Sequence, residues 1–183
     1  EVVEDARHGR LRPVYKATVG VPQSGGVQPR RDLFKGKKYL PITLMQFSRG
    51  CRFACEFCAI SAFFDREHFV RRSREVLDEI ASQERKLIFF VDDNLLSNHT
   101  AAKQFLRDLI PLRIRWVSQA SLDMTRDAEL MELVERSGCV GNVIGFESIN
   151  QRSVAGMRKA PNRMLGSAWD QYEKACQVLR DHH

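Results

Sequence analysis

The chain has 183 residues, 43% hydrophobic and 28% charged, with a net charge of +6 and five cysteines. This is the composition of a globular domain with its own core, and it excludes collagenous, low-complexity and disulfide-scaffold classes. No apolar run approaches the roughly 18 residues of a membrane span, and the acidic start Glu1-Val2-Val3-Glu4-Asp5 is unlike a signal peptide.

Residues 1–40 read as an irregular lead-in, a linker from an upstream domain. Pro13, Pro22, Pro29, Gly20, Gly25, Gly26 and Gly36 interrupt any long element, and only Val14 to Val21 suits a short strand. Part of the positive charge lies here, in Arg30, Arg31, Lys35, Lys37 and Lys38; Arg66, Arg71, Arg72 and Arg74 form a second cluster. Neither is interleaved with aromatics in an RNA-binding pattern, so a solvated face is expected and nucleic acid is not.

Regular structure begins at Pro41. Residues 42–47 (Ile-Thr-Leu-Met-Gln-Phe) read as a strand, with three cysteines in the loop behind it. Ser73 is the expected N-cap of a helix that buries Val76, Leu77 and Ile80. Leu87 to Val91 is an unbroken apolar run, expected to be a parallel strand buried on both faces. Asn98 or Thr100 then opens a helix through Phe105, Leu106 and Leu109 that stops near Pro111. Ile114 to Ala120 is the third strand. A helix from about Arg126 carries Leu130, Leu133 and Val134 and ends at Ser137-Gly138, with Gly138 at the C-cap. Val140 to Phe146 is the fourth strand. Leu165 to Arg180 is a long helix with Ala168, Tyr172, Ala175 and Leu179 on one face.

Strand and helix alternate four times, which predicts an α/β fold with parallel strands. Four units are too few to close an eight-unit barrel. The missing initiator Met and the ending straight after a helix make a fragment the expectation, with a core domain over 41–183 cut short at its C-terminal side.

Cys51, Cys55 and Cys58 carry the chemistry. Three thiolates within eight residues suit a cytoplasmic metal site. Structural zinc wants four ligands, for which His68 is the available fourth, and a zinc-stabilised nucleic-acid-binding module is the rival reading. A four-iron cluster is ordinarily held by four cysteines, so three leave one iron open. Cys139 and Cys176 sit among core positions and are expected to be buried hydrophobes. His68, His99, His182 and His183 belong to no motif and suit surface or capping roles.

The pattern Cys-x-x-x-Cys-x-aromatic-Cys closely resembles the radical S-adenosylmethionine (radical SAM) superfamily. Arg30 to Phe34, Phe90 to Asn94 and Gly145 to Ser148 look like its members that carry a cobalamin-binding domain upstream. The resemblance implies a partial (βα) barrel and a [4Fe-4S] cluster whose open iron chelates S-adenosylmethionine. It implies reductive cleavage to methionine and a 5′-deoxyadenosyl radical, for hydrogen abstraction or cobalamin-linked methyl transfer. A flavodoxin- or ferredoxin-like electron donor is implied too. The cobalamin motif Asp-x-His-x-x-Gly is absent, so any cobalamin site belongs to the upstream domain.

Ligands of parallel α/β folds bind beyond the carboxyl ends of the strands. Asp92, Asp93 and Asn94 end the second strand where the superfamily binds the methionine amino group, although its usual Gly-Gly-Glu is missing. Gln119 or Ser121 at the third strand could touch the cofactor. Glu147 at the fourth resembles the contact to the ribose hydroxyls, and Phe57 is placed near the adenine. Arg158 and Lys159 are expected in solvent.

Overall fold

A computed structural model describes residues 1–16, 29–84, 87–162 and 168–182. The lead-in contains α1 (Val2–Arg7) and a 3₁₀ turn (Arg31–Phe34), and its other described residues are irregular. The strand expected from Val14 falls largely outside the described residues; Val14, Tyr15 and Lys16 are irregular. Next come β1 (Thr43–Met45), β2 (Ser48–Gly50), α2 (Ala59–Phe63), β3 (His68–Val70), α3 (Ser73–Ala81) and β4 (Leu87–Phe90). They are followed by α4 (His99–Leu109), β5 (Arg115–Ala120), α5 (Ala128–Arg136), β6 (Cys139–Ile144), α6 (Gln151–Gly156) and α7 (Ala168–Asp181).

β1, β4, β5 and β6 form one parallel sheet in that order. β2 and β3 form a separate antiparallel pair in which Gly50 faces His68. The four βα units were anticipated; the hairpin was not. One sheet face buries Met45, Ile88, Phe90 and Trp116 under Val76 and Ile80 of α3, Phe105, Leu106 and Leu109 of α4, and Leu130 and Val134 of α5. The Phe47 and Phe105 rings stack at 3.9 Å. Each such side chain contributes about 1.5–3 kcal/mol by leaving water.

The opposite face is not covered among the described residues: Leu44, Val91 and Val143 are exposed. β4 is therefore buried alternately, not on both faces as expected, because helices lie on one side only. This is an open portion of a (βα) barrel.

Local signals explain several helix ends. The side chains of Asn98 and Asp127 accept from Ala101 N and Leu130 N at 3.2 and 3.1 Å, the N-cap arrangement. Gly138, at φ +88°, turns the chain out of α5; a Cβ there would strike Ile114 O. Ser73 is not the cap expected of it: Arg72 holds that position without a side-chain cap bond. α7 begins at Ala168, and residues 165–167 lie outside the description. Its Tyr172 and Ala175 pack on Leu122, Ile144 and Phe146. No helix among the described residues is long and apolar enough to cross a membrane.

The two basic clusters are not wholly solvated. Arg31 and Arg71 turn inward to Glu79, which is 1% exposed.

Candidate functional site

β1 delivers the chain to the β2–β3 hairpin, and the cysteine loop leaves β2 directly. Two carboxylates hold that junction. Asp92 Oδ2 accepts from Phe47 N at 3.1 Å, and its Oδ1 accepts from Ser48 N and, at 2.6 Å, from Ser48 Oγ. Asp93 Oδ2 accepts from Gly50 N at 2.9 Å. Gly50 is at φ +77°, and a Cβ on it would collide with Glu67 O, so only glycine fits before Cys51.

Asp92 is fully buried, and its acceptors are spent on Phe47 and Ser48. This corrects its expected place as a cofactor ligand: it is scaffold beneath the site. Burial pushes its carboxyl up to about 6 against the pull of the Ser48 and Phe47 donors. Its ordinary value is 3.8, so the folded chain holds this proton where the unfolded chain has lost it. The group thus favours folding below pH 4, and that contribution is lost as pH rises towards 6. The stability of the wild type relative to Asp92→Asn should fall by about 3 kcal/mol between pH 3.5 and 7. Urea unfolding of both proteins at the two pH values checks this; a pH-independent difference refutes it.

Cys51, Cys55 and Cys58 are free thiols, half-buried in one loop. Burial pushes the Cys51 and Cys55 thiols up; the neighbouring cysteines add to this, while Lys159 pulls Cys55 down. Among the described residues no three Cys, His, Asp or Glu side chains converge on the point a single ion would occupy.

The remaining expected residues surround this loop unevenly. Asn94, 5% exposed, places Nδ2 3.8 Å from Cys51 Sγ and 2.8 Å from Ser121 Oγ, while its buried Oδ1 has no partner. Asp93, Asn94 and Ser121 are thus brought to the cysteines. Gln119 lies on the uncovered sheet face, with Nε2 3.4 Å from Asp92 O. Phe57 is exposed, beneath Lys159 Nζ at 5.9 Å. Glu147, at φ +63°, pairs with Lys159 at 2.5 Å.

Several participants were not anticipated. Lys159 is buried rather than solvated and lies between Glu147 and the cysteine loop. The segment around it reaches across from β6: Glu56 N donates to Met157 O at 3.0 Å, and Arg158 Nε pairs with Glu56 at 3.0 Å. No local signal marks Lys159, because its partners lie 12 and about a hundred residues away. His68 was expected at the surface, yet both ring nitrogens are buried without a partner; burial and Arg52 pull its imidazole down. His99 is half-buried between Asp123 and Asp127. Cys139 is buried as expected, whereas Cys176 is only half-buried.

The chain is 28% identical to the bacteriochlorophyllide d C-12(1)-methyltransferase of Chlorobaculum tepidum, an alignment covering all of this chain and 41% of that protein. It is 27% identical to the hopanoid C-2 methylase of Rhodopseudomonas palustris, over 75% of this chain and 28% of that one. The chain therefore spans less than half the length of these relatives. Its fold is similar to the structure of the radical S-adenosylmethionine methyltransferase TsrM from Kitasatospora setae, solved with cobalamin and a [4Fe-4S] cluster. The TM-score is 0.65 at 18% identity, covering 77% of this chain and 29% of that one. The sequence model of the Radical SAM superfamily matches residues 45–183, a span that takes in the cysteine loop, the hairpin and the whole parallel sheet apart from its first residues, and the chain belongs to that superfamily.

Proposed function

We propose that Cys51, Cys55 and Cys58 ligate a [4Fe-4S] cluster and that S-adenosylmethionine binds beside it, over the carboxyl ends of β4, β5 and β6. When bound, the cluster supplies the electron and the open iron for reductive cleavage of S-adenosylmethionine. The protein's part is to seat both groups. Asp93 and the unpartnered Asn94 Oδ1 offer acceptors for an ammonium beside Cys51. Glu147 is an acceptor at the far end, currently held by Lys159, and Phe57 offers an exposed ring beside Lys159. The observation that carries this reading is the three-cysteine loop leaving β2, with the buried, unpartnered Asn94 Oδ1 on a side chain that reaches Cys51.

The parent protein is proposed to be a cytoplasmic methyltransferase drawing on cobalamin bound upstream of residues 1–40. The methyl-transferring relatives support that choice over simple hydrogen abstraction. A loop of clustered cysteines suits a reducing compartment, and a flavodoxin- or ferredoxin-like donor is proposed to supply the electron.

Anaerobic reconstitution of the full-length protein tests the core of this reading. Four irons and four sulfides per chain are expected. With dithionite, S-adenosylmethionine should yield methionine and 5′-deoxyadenosine. Bound zinc without sulfide, or a cluster whose spectrum ignores S-adenosylmethionine, defeats it.

A further inference from the structure

We propose that Asn94 is a positioning residue that raises the reduction potential of the centre, by donating an N–H to the Cys51 sulfur in an orientation locked by Ser121 and Asp123. The inference rests on Cys51 being a cluster ligand.

An asparagine side chain can present either nitrogen or oxygen to a neighbour, and the surrounding hydrogen bonds decide which. Here they decide it without ambiguity. Ser121 Oγ lies 2.5 Å from Asp123 Oδ1. A carboxylate only accepts, so the hydroxyl's single proton goes there. Towards Asn94, 2.8 Å away, Ser121 can then only accept. The amide must turn its nitrogen to Ser121, and the second N–H on that nitrogen is the one beside Cys51 Sγ at 3.8 Å.

Asp123 is itself fixed. Its Oδ2 lies 3.3 Å from His99 Nε2 and 4.0 Å from Arg52 Nη2. His99 Nδ1 lies 3.1 Å from Asp127, the residue that caps α5. Hydrogen bonds therefore run from the cysteine loop through Asn94 and Ser121 to Asp123, and charge contacts at His99 carry the line on to the N-terminus of a packed helix. Asn94 and Ser121 are buried and Cys51, Asp123, His99 and Asp127 half-buried, so water competes little for the bonds between Asn94, Ser121 and Asp123.

Hydrogen bonds to ligand sulfurs are among the main determinants of iron–sulfur potentials. They spread thiolate charge and so favour the more negative, reduced cluster. Groups that orient ligands in this way are as much part of a metal site as the ligands are.

The test is an EPR-monitored redox titration of the anaerobically reconstituted full-length protein. Asn94→Leu removes the donor, and Asn94→Asp replaces it with a charge of the wrong sign. Both are expected to retain four irons and to move the midpoint negative by at least a tenfold change in the reduction equilibrium, 59 mV for one electron. Ser121→Ala frees the amide to rotate and should shift the potential the same way by less, at unchanged iron content. An intact cluster at wild-type potential in Asn94→Leu overturns the proposal. If Asn94→Leu takes up no iron, the other two variants decide, and unchanged potentials in both overturn it. A wild-type protein that assembles no cluster overturns the reading of the cysteines instead, and this inference with it.

Discussion

Cys51→Ala, Cys55→Ala and Cys58→Ala should each give a folded protein that holds no intact four-iron cluster and cleaves no S-adenosylmethionine above background. The loss should exceed the roughly 10- to 100-fold that removing a supporting group costs a metal site, because among the described residues no other cysteine belongs to this loop. Cys139 is buried at the start of β6, where Asn142 Nδ2 approaches its sulfur at 3.2 Å, and Cys176 lies on α7. The fold should survive because it does not hang on the sulfurs. The loop is held by Asp92 and Asp93 at its start and by Ser61 Oγ donating to Phe53 O at 2.8 Å further on. Replacing a half-buried thiol should cost the apo-protein about 1 kcal/mol or less. Iron and sulfide content, 5′-deoxyadenosine yield and an apo melting curve together separate this outcome from unfolding. Cys176→Ser should load and react like the wild type; failure of that control would mean that the ligand set has been misread.

Much of this site was legible because its elements are short-range. The apolar run at 87–91, the strand at 114–120 and the helical spacing of Leu130, Leu133 and Val134 are local patterns, and so are the cysteine spacing and the capping side chain of Asn98. The β2–β3 hairpin was not legible. Ser48-Arg49-Gly50 and His68-Phe69-Val70 are too short to show an alternation, and β2 is held by the acceptors Asp92 and Asp93, more than forty residues away. For the same reason Asp92 looked like a ligand: an acid ending a strand reads alike whether it faces the cavity or the backbone of the neighbouring strand. Lys159 and the Asn94–Ser121–Asp123 chain are likewise products of the fold, joining residues that no window of sequence holds together. The basic clusters misled for a related reason. Arg31 and Arg71 differ in no local way from the solvated arginines beside them, yet they meet across the fold on a single carboxylate.

That carboxylate is where the largest stability effect is expected. Glu79 Oε1 accepts from Arg31 Nη1 at 2.5 Å and its Oε2 from Arg71 Nη2 at 2.9 Å. Both guanidinium groups also reach the segment that feeds the cysteine loop: Arg31 donates to Leu44 O of β1 and Arg71 to Gln46 O just after it, each at 2.8 Å. Glu79→Ala leaves two mostly buried cations facing each other with no counter-charge, a loss of about 3–5 kcal/mol. At roughly 2–4 °C per kcal/mol for a domain of this size, the melting temperature should fall by about 6–20 °C. Glu79→Gln keeps the volume but brings an amide N–H against an arginine, so it should recover little. The decisive comparison is the triple variant Arg31→Met, Arg71→Met, Glu79→Leu. Because what hurts is the unpaired charge and not the missing bridge, replacing all three should restore most of what Glu79→Ala loses. Even so, the triple variant would lack the donors to Leu44 O and Gln46 O. It should therefore melt near the wild type yet show faster proteolysis of the lead-in around residues 29–34 and weaker iron uptake. A triple variant no more stable than Glu79→Ala would show that the clamp holds the fold by geometry and not by charge balance.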